Sequence, residues 1–353
     1  MHSAEYTGSM NFKSAYSLTQ LNWKSVFSSR GVSANVLPFW IDGLYKNRSL
    51  WSRHVSPKII EDMTSSMDFD LPQISHVSEA SDGTVKFLIR FKDMMEVETV
   101  LIPFHKRFTV CLSTQVGCGM NCSFCFTGTQ GLKRNLTAGE IVGQYLVARS
   151  YLKSGLNPSI VFMGQGEPLH NAEEVLQAIK VLNDSSMIGV GVRQMTLSTV
   201  GYLPGIIALK DFPRINVAIS LHSPFEEERS QIIPINTKFP LKDVVSALDK
   251  LPLLKRQFIT FEYLLIKNFN MTERHVEGLK ELLGHRPAII NLIPFNPFPG
   301  SKFERPSVEE VETFKEKLVT NKLRVMIRST KGSDILAACG QLKVNKLARK
   351  NET

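Results

Sequence analysis

No apolar run in the 353-residue chain approaches the ~18 residues that a membrane-spanning helix needs. The first ten residues, MHSAEYTGSM, lack the basic and apolar regions of a secretory leader, so the expected compartment is the cytoplasm, with no membrane partner. No internal repeat or low-complexity stretch stands out. Cysteines are few and odd in number: Cys111, Cys118, Cys122, Cys125 and Cys339. An odd set in a chain without a leader argues against a disulfide framework. No histidine lies within ten residues of Cys118, Cys122 or Cys125, which leaves a zinc site there without an obvious fourth ligand. What is present is an ordinary globular balance, 43% hydrophobic and 21% charged, long enough for one large domain with an accessory piece. The net charge of +9 fits a polyanionic partner such as nucleic acid. The basic residues are spread along the chain, with a modest cluster in the tail KVNKLARKNET.

Residues 1–66 read as helical, with Leu18, Leu21, Trp23 and Val26, then Phe39, Trp40, Ile41 and Leu44, giving patchy helical periodicity. Residues 67–106 change to β-rich runs, VKFLIRF and VETVLIP, after a turn signal at Ser81-Asp82-Gly83. From 107 onward, strands and helices alternate. RFTVCLST, SIVFMG, QMTLST, INVAISL, FITFEYLLI, AIINLIPF and LRVMIRS are the strands. Thr137 with Glu140 predicts a capping box for one helix, and Asn171 with Glu174 predicts a cap for the next. Regular β-then-α order predicts an α/β fold with parallel strands and right-handed crossovers. Six or seven units predict a partial barrel, whose chemistry gathers at the C-terminal strand ends. The expected divisions are a helical accessory domain at 1–66, a small β extension at 67–106, the barrel with a C-terminal catalytic loop at 107–342, and a basic tail at 343–353.

Four of the five cysteines lie between 111 and 125, and three form the CxxxCxxC run Cys118-Gly-Met-Asn-Cys122-Ser-Phe-Cys125 directly after the first barrel strand. A 4Fe–4S cluster normally takes four thiolates, so three close ligands leave one iron open to a small chelator. Structural zinc and buried thiols are the alternatives. After the second barrel strand comes Met163-Gly-Gln-Gly-Glu-Pro168, whose glycines admit close approach to a ligand and whose Glu167 can accept from an amine.

The cysteine run in the first barrel loop resembles the signature of the radical-SAM superfamily, and the Gly-rich run resembles the superfamily's motif for the amino group of S-adenosylmethionine. Three further stretches, CLSTQVGCGMNCSFCFTGTQGLKRNLT, NVAISLHSP and SDILAACGQL, resemble the RNA adenine methyltransferases of the RlmN/Cfr family. The resemblance runs strongly from about residue 82 to 342. It implies a partial (β/α)6 radical-SAM barrel with a helical accessory domain that grips RNA. It implies a 4Fe–4S cluster on Cys118, Cys122 and Cys125, and S-adenosylmethionine contacts at Gly166, Glu167, Ser198, Ser220, Leu221, His222 and Asn296.

In the family, the cysteines matching Cys111 and Cys339 work as a pair. The resemblance implies that Cys339 is methylated by one S-adenosylmethionine, that a second is cleaved to a radical which activates the S-methyl group, and that Cys111 forms a disulfide with Cys339 to free the RNA. Two S-adenosylmethionine molecules per turnover and an external electron donor follow. Glu98 matches the family's proton acceptor. Small neighbours, Ala337, Ala338 and Gly340, suit a loop that carries its thiol to and fro. Phe126 and Gln165 depart from the family pattern near the expected cofactor site. The expected reaction is methylation at C2 of an adenosine in 23S rRNA, with a tRNA adenosine beside the anticodon as a further substrate. The alternatives are Cfr-like methylation at C8 and a non-enzymatic RNA-binding protein stabilised by metal.

Overall fold

The computed structural model describes residues 13–46, 55–105, 107–153 and 156–344. The expected basic tail therefore lies, from 345 on, outside the described residues.

Among the described residues, three α-helices come first: α1 (Gln20–Ser29), α2 (Leu37–Tyr45) and α3 (Pro57–Ser66). Thr19 and Asn22 form a capping box for α1, and prolines start α2 and α3 where a missing N–H costs nothing. Trp23, Phe27 and Trp40 are fully buried and meet edge-on around Phe69. Leu21 and Phe39, expected in this core, face outward at 72% and 48% exposure. The aromatic cluster belongs to the same hydrophobic core as the rest of the chain.

Four antiparallel strands follow: β1 (Gln73–Glu79), β2 (Val85–Arg90), β3 (Glu96–Phe104) and β4 (Arg107–Cys111). Polar QISHVSE hides β1 from a sequence reading, because both of its faces are largely solvated. A short hairpin, β5 (Gln115–Gly117) and β6 (Leu132–Asn135), brackets the cysteine loop. Six parallel strands then join β4: β7 (Ser159–Phe162), β8 (Met195–Thr199), β9 (Asn216–Ser220), β10 (Ile259–Leu265), β11 (Ala288–Pro294) and β12 (Val325–Ile327). The ten-stranded sheet has the order β1-β2-β3-β4-β7-β8-β9-β10-β11-β12, so each parallel strand joins its predecessor's edge. This is the expected partial barrel, with the β extension continuous with its first edge.

The crossovers carry α4 (Ala138–Ser150), α5 (Ala172–Asn183), α6 (Leu203–Ala208), α7 (Glu226–Ile232), α8 (Leu241–Leu248), α9 (Glu273–Leu283) and α10 (Val308–Thr320). The Thr137–Glu140 capping box forms as expected. Asn171 does not cap α5 with its side chain. Its amide instead donates to the Thr114 and Leu136 carbonyls, while Glu174 accepts from the Ala138 N–H at 2.6 Å. Asn171 stands at the expected N-cap position and Glu174 in the first turn, but their side chains tie loops together rather than cap the helix. Gln177 donates to the Ser17 carbonyl and Arg149 to that of Tyr45, fastening the N-terminal helices to α5 and α4.

Candidate functional site

A cavity of about 140 Å³ opens at the C-terminal ends of the parallel strands. Cys118, Cys122 and Cys125 line one side of it, and Gly166, Glu167, Ser198, Ser220 and His222 line the other. Cys339 comes in from the C-terminal loop. Leu221, Asn296, Cys111 and Glu98, also expected in the site, do not line this cavity.

The cysteine loop folds back tightly. Gly117 has φ +74°, and a Cβ there would stand 1.9 Å from the Gly131 carbonyl oxygen, so no side chain fits. Among the described residues no three His, Cys, Asp or Glu side chains converge on a point that a single metal ion would take. A cubane spreads its thiolates over separate irons, so three cysteines arrayed around one cavity wall suit a cluster as a donor set. Burial pushes the Cys118 thiol up to about 12, and Cys122 rises for the same reason. A metal bound by these thiols would therefore displace protons. Beneath Cys122 lies Arg229, fully buried, with hydrogen bonds to the carbonyls of Ser220 and Leu221 at 3.0 and 3.2 Å, to Val200 O at 2.5 Å and to Asn236. Its guanidinium braces the ends of β8 and β9 and sets a positive charge behind the cysteine wall. Replacing it with methionine orphans these carbonyls. We expect Arg229→Met to lower stability by about 3 kcal/mol or more, read from thermal melts; an unchanged melting temperature would show that the brace is dispensable.

The facing wall is built from strand ends. Gly166 has φ +102°, and a Cβ there would collide with Gln115 at 2.6 Å. Glu167 accepts from the Leu169 and Val200 N–H groups at 3.0 and 2.9 Å, yet burial outweighs these donors and lifts its carboxyl to about 7. His222 sits at φ +61°, and its Nδ1 accepts from the Leu264 N–H at 3.0 Å. Burial lowers its pKa to about 3, so the ring is neutral and its proton lies on Nε2. Ser198 Oγ donates to Glu262 Oε2 at 2.9 Å, and Glu262 Oε1 faces Arg328 Nη1 at 3.4 Å.

Sequence reading missed Arg229, Glu262 and Arg328. Arg328 lies beside both thiols of interest. Cys339 and Cys111 raise its pKa, and its charge in turn opposes the burial that pushes both thiols up, Cys111 to about 12. Cys111 ends β4 inside an apolar cluster with Val100, Ile102, Ala337 and Leu342, which places it behind the loop that carries Cys339. Both are free thiols; no disulfide joins them.

That loop is tied rather than loose. Asp334 accepts from the Ser81 N–H at 2.9 Å, Asp82 from the Gly332 N–H at 3.1 Å, and Leu336 O from Lys86 at 3.3 Å. Asn296 Nδ2 donates to Cys339 O at 3.2 Å, and Gly340 O accepts from the Phe126 N–H at 2.7 Å. Glu98 is buried, with one oxygen 3.0 Å from Lys86 Nζ and the other accepting from the Lys343 N–H at 2.7 Å. The β1–β2 turn thus holds the loop, and Glu98 pins its end. Phe126 stacks on Phe298, and Gln165 links the Glu98 N–H to Gln130. Neither departure from the family pattern lines the cavity; both brace the loops around it.

A model of the radical SAM superfamily matches residues 112–279. The chain is 44% identical over 281 residues to a dual-specificity RNA methyltransferase RlmN from Syntrophus aciditrophicus, covering 79% of this chain and 81% of the relative. A Bdellovibrio bacteriovorus protein of the same name is 38% identical over 331 residues, covering 93% and 83%. A radical SAM methyltransferase from Sphaerobacter thermophilus superposes with a TM-score of 0.87 at 33% identity, covering 94% of this chain and 99% of that one.

Proposed function

Because the chain belongs to the RlmN family of radical SAM RNA methyltransferases, we propose that it methylates C2 of an adenosine in 23S rRNA, and of a tRNA adenosine beside the anticodon, through a methyl group carried on Cys339. The observation that supports this reading is the placement of Cys339 at the cavity wall with Cys111 buried behind its loop and Arg328 beside both.

Cys118, Cys122 and Cys125 would hold the 4Fe–4S cluster and leave one iron for S-adenosylmethionine. When bound, the cluster would supply one-electron cleavage of that molecule to a carbon-centred radical. Glu167 takes the amine of S-adenosylmethionine, and neutral His222 turns an Nε2–H donor toward the same ligand. Cys339, as thiolate, receives a methyl group from a first S-adenosylmethionine, with Arg328 offsetting the negative charge. The carbon-centred radical takes one hydrogen atom from the S-methyl group, whose carbon then bonds adenine. The adduct loses the displaced ring proton and one electron, which the oxidised cluster would take back, and Cys111, as thiolate, attacks Sγ of the resulting thioether on Cys339. The S–C bond breaks as the S–S bond forms, and the carbon leaves with that bond's electron pair and takes a proton to become the methyl group of the product. Two electrons and two protons from an external donor reset both thiols. Glu98 can serve as proton acceptor only when the Lys343 N–H lets go of it; until then it anchors the loop.

Mass spectrometry of product nucleosides tests the reading. The expected product is 2-methyladenosine; 8-methyladenosine would replace the C2 assignment with its C8 counterpart. The Glu167 assignment carries a pH signature. Above about pH 7 the carboxylate is charged and holds an ammonium group, and below it the protonated acid does not. Affinity for S-adenosylmethionine should therefore fall toward acid by up to about tenfold per pH unit. Equilibrium binding across neutral pH measures this. Glu167→Gln should flatten the profile; a flat wild-type profile would show that Glu167 is not the amine's partner.

A further inference from the structure

The face of the barrel opposite the cavity carries charge that the reaction does not use. Each of the five parallel strands from β8 to β12 is preceded, within three residues, by an arginine: Arg193, Arg214, Arg256, Arg286 and Arg324. Two adjoining clefts of about 590 and 510 Å³ open there and share Arg256. Their linings hold Arg193, Lys255, Arg256, His285, Arg286, Lys322 and Arg324, and no carboxylate. Arg286 is paired with Asp249 at 2.9 Å. Arg193, Arg256 and Lys322 are exposed and make no ion pair among the described residues. Arg324 lies over the Phe258 ring, 4.5 Å from its centroid, which leaves its other face and N–H edges to solvent.

The backbone gives a second observation. Arg256 and Lys322 have φ +65° and +62°, a region that residues with side chains rarely adopt. Lys322 follows the C-cap of α10, where its N–H bonds Val319 O and the Leu323 N–H bonds Leu318 O. Glycine is the favoured residue at such a turn. This chain keeps a lysine there, at the rim of a cleft whose lining holds no carboxylate.

We propose that this basal face is a phosphate-binding surface for the RNA substrate, so that a bound RNA engages both the cavity and the opposite end of the barrel. The proposal rests on RNA being the substrate, not on which carbon is methylated. Charge selects the occupant: only a polyanion satisfies so many unpaired cations in one place. An acidic electron-donor protein would match the charge but not the position. The seven-residue strands β10 and β11 put about 20 Å of barrel between this face and the cysteine wall.

The test uses the full chain and a transcribed RNA hairpin of arbitrary sequence, because phosphate contacts do not read sequence. Arg256→Gly with Lys322→Gly removes two cations and relieves both backbones. This double variant should melt no lower than the parent. Its dependence of log Kd on log salt should be shallower by about one and a half, at about 0.7–0.9 per lost contact. Arg256→Glu with Lys322→Glu and Arg324→Glu should weaken binding further, while cleavage of S-adenosylmethionine without RNA stays at the parent rate. Parental affinity and salt slope in both variants would overturn the proposal. So would a lower melting temperature in the glycine variant, which would assign the two residues to the turns. Unchanged RNA binding with slower reduction by an acidic electron-transfer protein would give the face to that protein instead.

Discussion

Cys111→Ala protein, given S-adenosylmethionine, reductant and RNA, is expected to accumulate RNA covalently bound through Cys339. Nothing in the first half of the proposed cycle needs Cys111: it lies behind the loop, in an apolar cluster, and does not line the cavity. The variant should therefore methylate Cys339 and join it to adenine at parental rates. Release in the proposed cycle needs a second sulfur, and among the described residues the three cysteines besides Cys111 and Cys339 line the far side of the cavity. A denaturing gel should show a protein–RNA band that nuclease trims to a small added mass. Cys339→Ala should give neither adduct nor product while keeping its iron. The loss of one buried sulfur costs about 1 kcal/mol of packing, too little to explain either phenotype by unfolding. Normal turnover by Cys111→Ala would refute the two-thiol cycle for this protein.

Alanine at Cys118, Cys122 or Cys125 is expected to abolish iron loading. The parent, reconstituted without oxygen, should bind about four irons per chain, and its reduced spin signal should change when S-adenosylmethionine is added. Two remaining thiols cannot hold a cubane against solvent, and the cavity lining offers no histidine as substitute except His222, whose Nδ1 accepts from the Leu264 N–H and whose Nε2 therefore carries the ring proton rather than a free lone pair. Zinc in place of iron after anaerobic reconstitution would exclude the radical reading altogether.

How far the sequence shows these sites follows from how local each signal is. The cysteine loop and the Gly-rich turn are contiguous motifs, so spacing alone exposes them. The capping box at Thr137 and the alternation that builds the barrel are likewise short-range. Arg229, Glu262 and Arg328 carry no such mark. Each is a single polar residue in a helix, in a strand or just past one, and acquires meaning only when β8, β9, β10 and β12 bring their ends together. The loop around Cys339 shows the same limit. Its small residues read as freedom to move, whereas its partners, Ser81, Asp82, Lys86 and Glu98, lie about 250 residues earlier. Pairing over that separation leaves no local pattern. Asn171 takes the N-cap position that the sequence suggests, but what its amide bonds is not legible, because a side chain that caps a helix and one that ties two loops look alike in sequence.

The shared aromatic core sets a problem of timing. Trp23, Phe27 and Trp40 are made early, but α4, to which Arg149 fastens α2, is complete only about a hundred residues later. At about 5–20 residues per second, the ribosome takes roughly 5–20 seconds to supply it. For that interval the indoles and Phe27 have no barrel to pack against and present a sticky surface on a tethered chain. The aromatic cluster of the nascent chain thus completes its packing only after α4 has been made.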